Sequence, residues 1–274
     1  SGETFSFTFD KNMGGLSRLV YNNSEVISDP LLPYLWRVPT DNDEGGRQRS
    51  FADRWRRAGL DKMDIRPESI SFDKVNDGRV IVYVKNKIST TKEDITYEGE
   101  YTVLGDGRIL VENRLLVPES IPPLARVGLR TALPNNFDEI EWYGRGPYES
   151  YEDRKESAFV GIYSGTVEEQ HFPHVMPQEN GNKTDVRWVK IMSDKGAVCF
   201  TGVPLINFNI QNYSDEALNE SKNTHELIRG DKTYLHIDFR QMGLGGDDSW
   251  SPKVHREFLL NNYEYYFSFA ITSE

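Results

Sequence analysis

The chain has 274 residues, 37% of them hydrophobic, a formal net charge of −11 and a single cysteine. This is enough apolar material for a sizeable core, and Cys199, in the apolar run "GAVCFTGV", is expected to be a small buried hydrophobe rather than part of a disulfide scaffold. An acidic chain lacks the clustered lysines and arginines that neutralise phosphates, which excludes nucleic acid as a partner, and no run approaches the roughly 20 apolar residues of a membrane span.

The opening "SGETFSFTFD" alternates, placing Phe5, Phe7 and Phe9 on one face of a strand. It shows no basic n-region and no apolar h-region, so no signal peptide is expected. Its abrupt start suggests a piece of a longer chain. The compartment, cytoplasmic or periplasmic, stays open for a protein read as soluble. "GGLSRLVYNN" follows as a hairpin partner. Next comes "WRVPTDNDEGG" (36–46), whose Asp41, Asn42, Asp43 and Glu44 superficially suggest a calcium loop. It lacks the full ligand series ending in a glutamate, so the segment reads as capping and turn. "SFADRWRRAG" spaces Phe51, Trp55 and Ala58 for a short helix, with Ser50 as N-cap and Gly59 as stop.

Strands continue with "RVIVYVKNK", "ITYEGEYTVL" and "RILVENRLLV", the last two joined by the hairpin turn "GDG" at 105–107. "ARVGLRTAL" and "EIEWYG" are further strands. In "WYGRGPYESYEDRKES" (142–157), Glu149 and Asp153 lie beside Arg145 and Arg154, which predicts ion pairing and lowered carboxylate pKa values, unsuited to a general acid. "HFPHVMPQENGNKTDVRW" (171–188) holds His171, His174 and Glu179, an incomplete ligand set without helical spacing, so no metal site is expected. Its tip, Gln178, Glu179 and Asn180, is a candidate ligand-facing rim. "DVRWVKIMS" and "GAVCFTGV", linked by the turn "SDKG", are strands. "SDEALNES" is a second short helix capped by Ser214, and "YLHIDF" and "YEYYFSFAI" are the remaining strands. Many antiparallel strands with one or two short helices, and no βαβ pattern or linker, predict an all-β sandwich or barrel forming a single domain over 1–274.

The stretch "GLGGDDSWSP" (243–252) joins turn residues to a tryptophan. Gly245 and Gly246 would free the backbone and Asp247 and Asp248 would pin it. Trp250 would then offer a flat apolar partner to the C–H face of a sugar. No G-x-S-x-G elbow, P-loop or G-x-G-x-x-G is present. No catalytic residue is assigned to this chain.

Taken together, "LWRVPTDNDEG", "W…AGL", "WYGRGPYESYEDR", "MPQENG" and "GLGGDDSWSP", in this order, resemble the C-terminal domain (domain 5) of the large β-galactosidases of glycoside hydrolase family 2, also called the β-galactosidase small chain. The resemblance runs from about residue 3 to the end. It implies a β-supersandwich similar to galactose mutarotase. It further implies a retaining glycosidase acting on β-galactosides such as lactose, whose two catalytic glutamates lie on a preceding (β/α)₈ barrel absent here. Trp250 then matches the family's rim tryptophan, exposed in a chain without the barrel, with Asp247 and Asp248 as supports. The family's magnesium and sodium ligands belong mostly to the other domains, and the whole enzyme is expected to be a homo-oligomer. Two competing readings remain at this point. One is a mutarotase or epimerase, for which His174 and Glu179 are the best acid–base pair; the other is a stand-alone carbohydrate-binding module.

Overall fold

The computed structural model describes residues 1–46, 49–248, 251 and 253–274. The chain begins with β1 (Phe5–Asp10), β2 (Gly15–Tyr21), the two-residue β3 (Ser24–Glu25) and β4 (Asp29–Tyr34). The one-turn helix α1 (Asp41–Glu44) and α2 (Phe51–Ala58) follow. A long meander comes next: β5 (Asp64–Asn76), β6 (Arg79–Ser89), β7 (Ile95–Leu104) and β8 (Ile109–Leu116). Then come β9 (Arg126–Pro134), β10 (Glu139–Gly146), β11 (Phe159–Thr166), β12 (Lys183–Ser193) and the 16-residue β13 (Gly196–Gln211). The short helix α3 (Asp215–Glu220), β14 (Lys232–Gln241) and β15 (Glu264–Ser273) complete it.

Every strand pairing is antiparallel, in the order β1-β2-β4-β9-β14-β13-β15-β8-β7-β6-β5, with β12, β10 and β11 continuing from the side of β13. This is the antiparallel all-β architecture expected from the strand pattern, and the supersandwich that the family resemblance implies. The predicted hairpin of β1 on β2 forms, pairing Phe5 with Tyr21. The turn at 105–107 closes through Gly107 N–H to Leu104 O (2.9 Å), with Gly107 at φ 87°. α2 and α3 carry their predicted caps: Ser50 accepts from Asp53 N–H and Ser214 from Ala217 N–H. α1 is a third helix, beyond the one or two expected. It arises because the segment read as capping and turn closes a capping box, Thr40 with Asp43, and so completes one helical turn.

Alternation along the strands sends one set of side chains into a single connected apolar core. Trp55, Tyr97, Tyr101, Trp142, Phe200 and Phe269 are among its fully buried members. Along β14, Leu235 and Ile237 enter that core, while His236 and Asp238 face the opposite way and are equally buried. Among the described residues no helix is long and apolar enough to cross a membrane.

Candidate functional site

The polar face of β9, β13 and β14 is the first part of the site. Val127, Leu129 and Leu133 of β9 point to the core, so Arg126 must project to the other side. There Arg126 Nε lies 2.9 Å from Asp238 Oδ2, and one Nη meets both oxygens of Glu179 at 3.3 and 3.2 Å. Glu179 also accepts from Asn209 (2.9 Å) and Gln241 (2.8 Å). His236 sits between Arg126 (3.0 Å to Nδ1) and Asp215 (3.0 Å to Nε2). Gly128 makes this possible, since a Cβ there would fall 1.9 Å from Asp238 Oδ1.

Two buried carboxylates share one guanidinium. Glu179 has two amide donors in addition and Asp238 has none, so Asp238 is the one that holds a proton. Burial pushes the Asp238 carboxyl up to about 8 against the pull of Arg126. Burial and the neighbouring Arg126 bring His236 down to about 4. Asp215 is held well below the usual carboxylate range; burial opposes this, but His236, Arg130 and Arg126 outweigh it.

The segment 178–182 seals this face. Gln178, Glu179 and Asn180 were expected at an exposed rim; they are instead only 6%, 5% and 1% exposed. The cause is chemical complementarity. The sheet face below offers Arg126, Asn209, Gln211 and Gln241, and the segment offers oxygen acceptors to them, including Asn180 O to Asn209 (2.5 Å) and Gln211 (3.1 Å). Gly181, at φ 81°, permits the tight path. His174 lines one 170 Å³ cavity with Glu179, Gln178 and Tyr151, but the Glu179 carboxylate is already engaged by Arg126, Asn209 and Gln241. His171 meets Gln211 instead (3.0 Å). Among the described residues no three His, Cys, Asp or Glu side chains are placed to hold a metal ion.

The "GLGGDD" loop borders the same cavity through Leu244. Gly245 (φ 68°) and Gly246 (φ 105°) both adopt the left-handed backbone. Asp248 accepts from Ser251 N–H (2.6 Å) and Oγ–H (2.8 Å), and Asp247 meets His255 at 2.6 Å. Trp250, the expected sugar platform, and Pro252 lie outside the described residues.

Sequence reasoning missed the groups that hold the start of this loop. Arg37, fully buried and paired with Asp43 (2.7 Å), donates to Met242 O and Gly243 O. Asn42 donates to Leu244 O. Asp153, expected in an ion pair with the nearby arginines, accepts instead from Leu244 N–H (2.9 Å) and Gly245 N–H (2.7 Å). Arg145 turns to Asp185, and only the Glu149–Arg154 pair forms as expected. The one local hint was composition: "DNDEGG" and "YEDR" are turn sequences rich in acceptors.

The model of the β-galactosidase small chain matches residues 1–271. The chain belongs to the β-galactosidase small-chain family. A β-galactosidase of Vibrio cholerae is 35% identical over 269 residues, 96% of this chain and 26% of the relative; one of Priestia megaterium is 33% identical over 95% of this chain and 25% of the relative. The chain therefore spans about a quarter of the length of the relatives it matches. Its fold is shared with a galactose mutarotase-related enzyme of Lactobacillus acidophilus (TM-score 0.51, 9% identity, all of this chain and 96% of that one). A putative aldose 1-epimerase of Escherichia coli K12 is also alike (0.52, 11%, all of this chain and 97% of that one).

Proposed function

We propose that this chain is one domain, 1–274, of a longer retaining β-galactosidase, and that it supplies Trp250 as an apolar platform at the rim of an active site built mainly elsewhere. The observation that carries this reading is the sealed polar face. On the polar face of β9, β13 and β14, Glu179 is engaged by Arg126, Asn209 and Gln241, so that face spends its polar groups on the protein itself and not on a ligand. Substrate contact then falls to the loop that borders the cavity. The two left-handed glycines support the part given to that loop, because they let it turn where other residues are strained.

On the same reading the two catalytic glutamates sit on a (β/α)₈ barrel in the rest of the polypeptide, a β-galactoside is the substrate, and the magnesium and sodium ions belong to those other domains. The whole enzyme is a homo-oligomer. Likeness of fold to epimerases does not transfer their activity.

The test has two arms. The purified chain should release no chromophore from a chromogenic β-galactoside above a Trp250→Ala control, and should leave the mutarotation of α-galactose at its spontaneous rate. In the longer enzyme, Trp250→Ala should weaken substrate or acceptor binding by about 1–3 kcal/mol, the scale of one lost aromatic contact. Unchanged KM and unchanged acceptor inhibition would remove Trp250 from the site.

A further inference from the structure

We propose that Asp153 is the positioning residue of the 242–248 loop and, on the reading that Trp250 is the platform, that substrate binding through Trp250 depends on it. The loop leaves β14 with no strand beside it, yet its backbone groups from Met242 N–H to Gly245 N–H all have partners. Met242 N–H donates to Ala125 O (2.9 Å) and Gly243 N–H to Phe258 O (3.0 Å). Arg37 covers the carbonyls of Met242 and Gly243, and Asn42 that of Leu244 (3.1 Å). Asp153 takes the two remaining N–H groups, Leu244 and Gly245, one on each carboxylate oxygen.

This last contact differs in kind from the others. Two successive N–H groups, the second on a left-handed residue, form a small anion-binding concavity, and a carboxylate fills it with charge-assisted bonds. The approach is so close that a Cβ on Gly243 would lie 2.5 Å from Asp153 Oδ2, which accounts for the first glycine of "GLGG". Asp153 is itself held, at a tight turn closed by Tyr151 and Arg154 through two backbone bonds of 3.1 and 2.8 Å. Gly245 also lies close against the returning limb of the loop: a Cβ on it would fall 2.5 Å from Lys253 O, so the backbone at residues 245 and 253 comes together at this point. An asparagine keeps the size of Asp153 but has one acceptor oxygen, and its NH₂ would face one of the two N–H groups.

The experiment uses the full-length enzyme with Asp153→Asn, Trp250→Ala and the double variant. Hydrogen exchange of the 242–248 peptide should quicken at least roughly tenfold in Asp153→Asn, with β14 protected as before, which also shows that the variant is folded. Protection of 242–248 equal to wild type overturns the proposal. In kinetics, Asp153→Asn should lower kcat/KM mainly through a higher KM, and should add less than about a twofold loss when Trp250 is already alanine, because coupled residues are non-additive. An equal loss in both backgrounds means Asp153 does not act through Trp250 and overturns that half of the proposal. Full activity of Trp250→Ala alone would remove the platform reading, and the exchange result would still decide whether Asp153 holds the loop.

Discussion

A buried charge cluster rewards attention to individual residues, because each proton has a consequence. Asp238 holds its proton to about pH 8, whereas an unfolded aspartate loses it near 3.9. The folded state therefore binds the extra proton, and this contribution to stability fades as pH rises toward 8. His236 works in the opposite sense: its folded value of about 4 lies below the unfolded value of about 6.5, so its contribution is lost as pH falls through that interval. The two slopes offset each other between about pH 4 and 6.5. Above 6.5 Asp238 dominates, with a small opposing contribution from His236 up to about pH 7, and the protein should lose about 1 kcal/mol between pH 6.5 and 8. Urea midpoints at the two pH values check this, and Asp238→Asn, a neutral side chain of the same shape, should flatten the slope. A fall of equal size in the variant would assign the effect to another group. Little of this was legible in advance. Glu179 was visible as a polar residue in a loop, but its partners Arg126, Asn209 and Gln241 lie 30 to 62 positions away in the chain. The role of Asp153 was hidden for the same reason: its partners are 91 and 92 residues distant, while the two arginines that suggest an ion pair lie close in sequence. The left-handed glycines were legible, because a glycine pair in a turn sequence carries its own conformational meaning.

Elements announced themselves when their burial was periodic. β6, β8 and β15 alternate clearly, and their sequences show it. β5 escaped because it is a largely exposed edge strand with Pro67 inside it, so it has neither an apolar face nor a clean pattern. β4 holds Pro30 and Pro33, which argue against a strand on local grounds and are tolerated here among irregular pairings. β11, an edge strand carrying two glycines, was missed as well. β13 was cut short at Pro204 although its second half pairs with β14. Helix α2 was found because capping is local chemistry. Replacing Ser50 by alanine removes the side-chain acceptor for Asp53 N–H and should cost about 1 kcal/mol in a urea titration, with no change in substrate kinetics beyond that loss of stability.

At the scale of the molecule, one connected core runs from Phe5 to Ile271. If it is a single cooperative unit, far-ultraviolet circular dichroism and tryptophan fluorescence should report one unfolding midpoint in the isolated chain; two separated midpoints would divide it. The order of strands adds a constraint in time. β15 lies between β13 and β8 and, among the described residues, is the only strand that joins the β5–β8 meander to the rest of the sheet. During synthesis the two portions therefore have no strand pairing to each other until residues 264–273 have left the ribosome. Until then the chain carries two open sheet edges, on β8 and on the first half of β13, and these unfinished edges are where a chaperone would find it most exposed to misassembly.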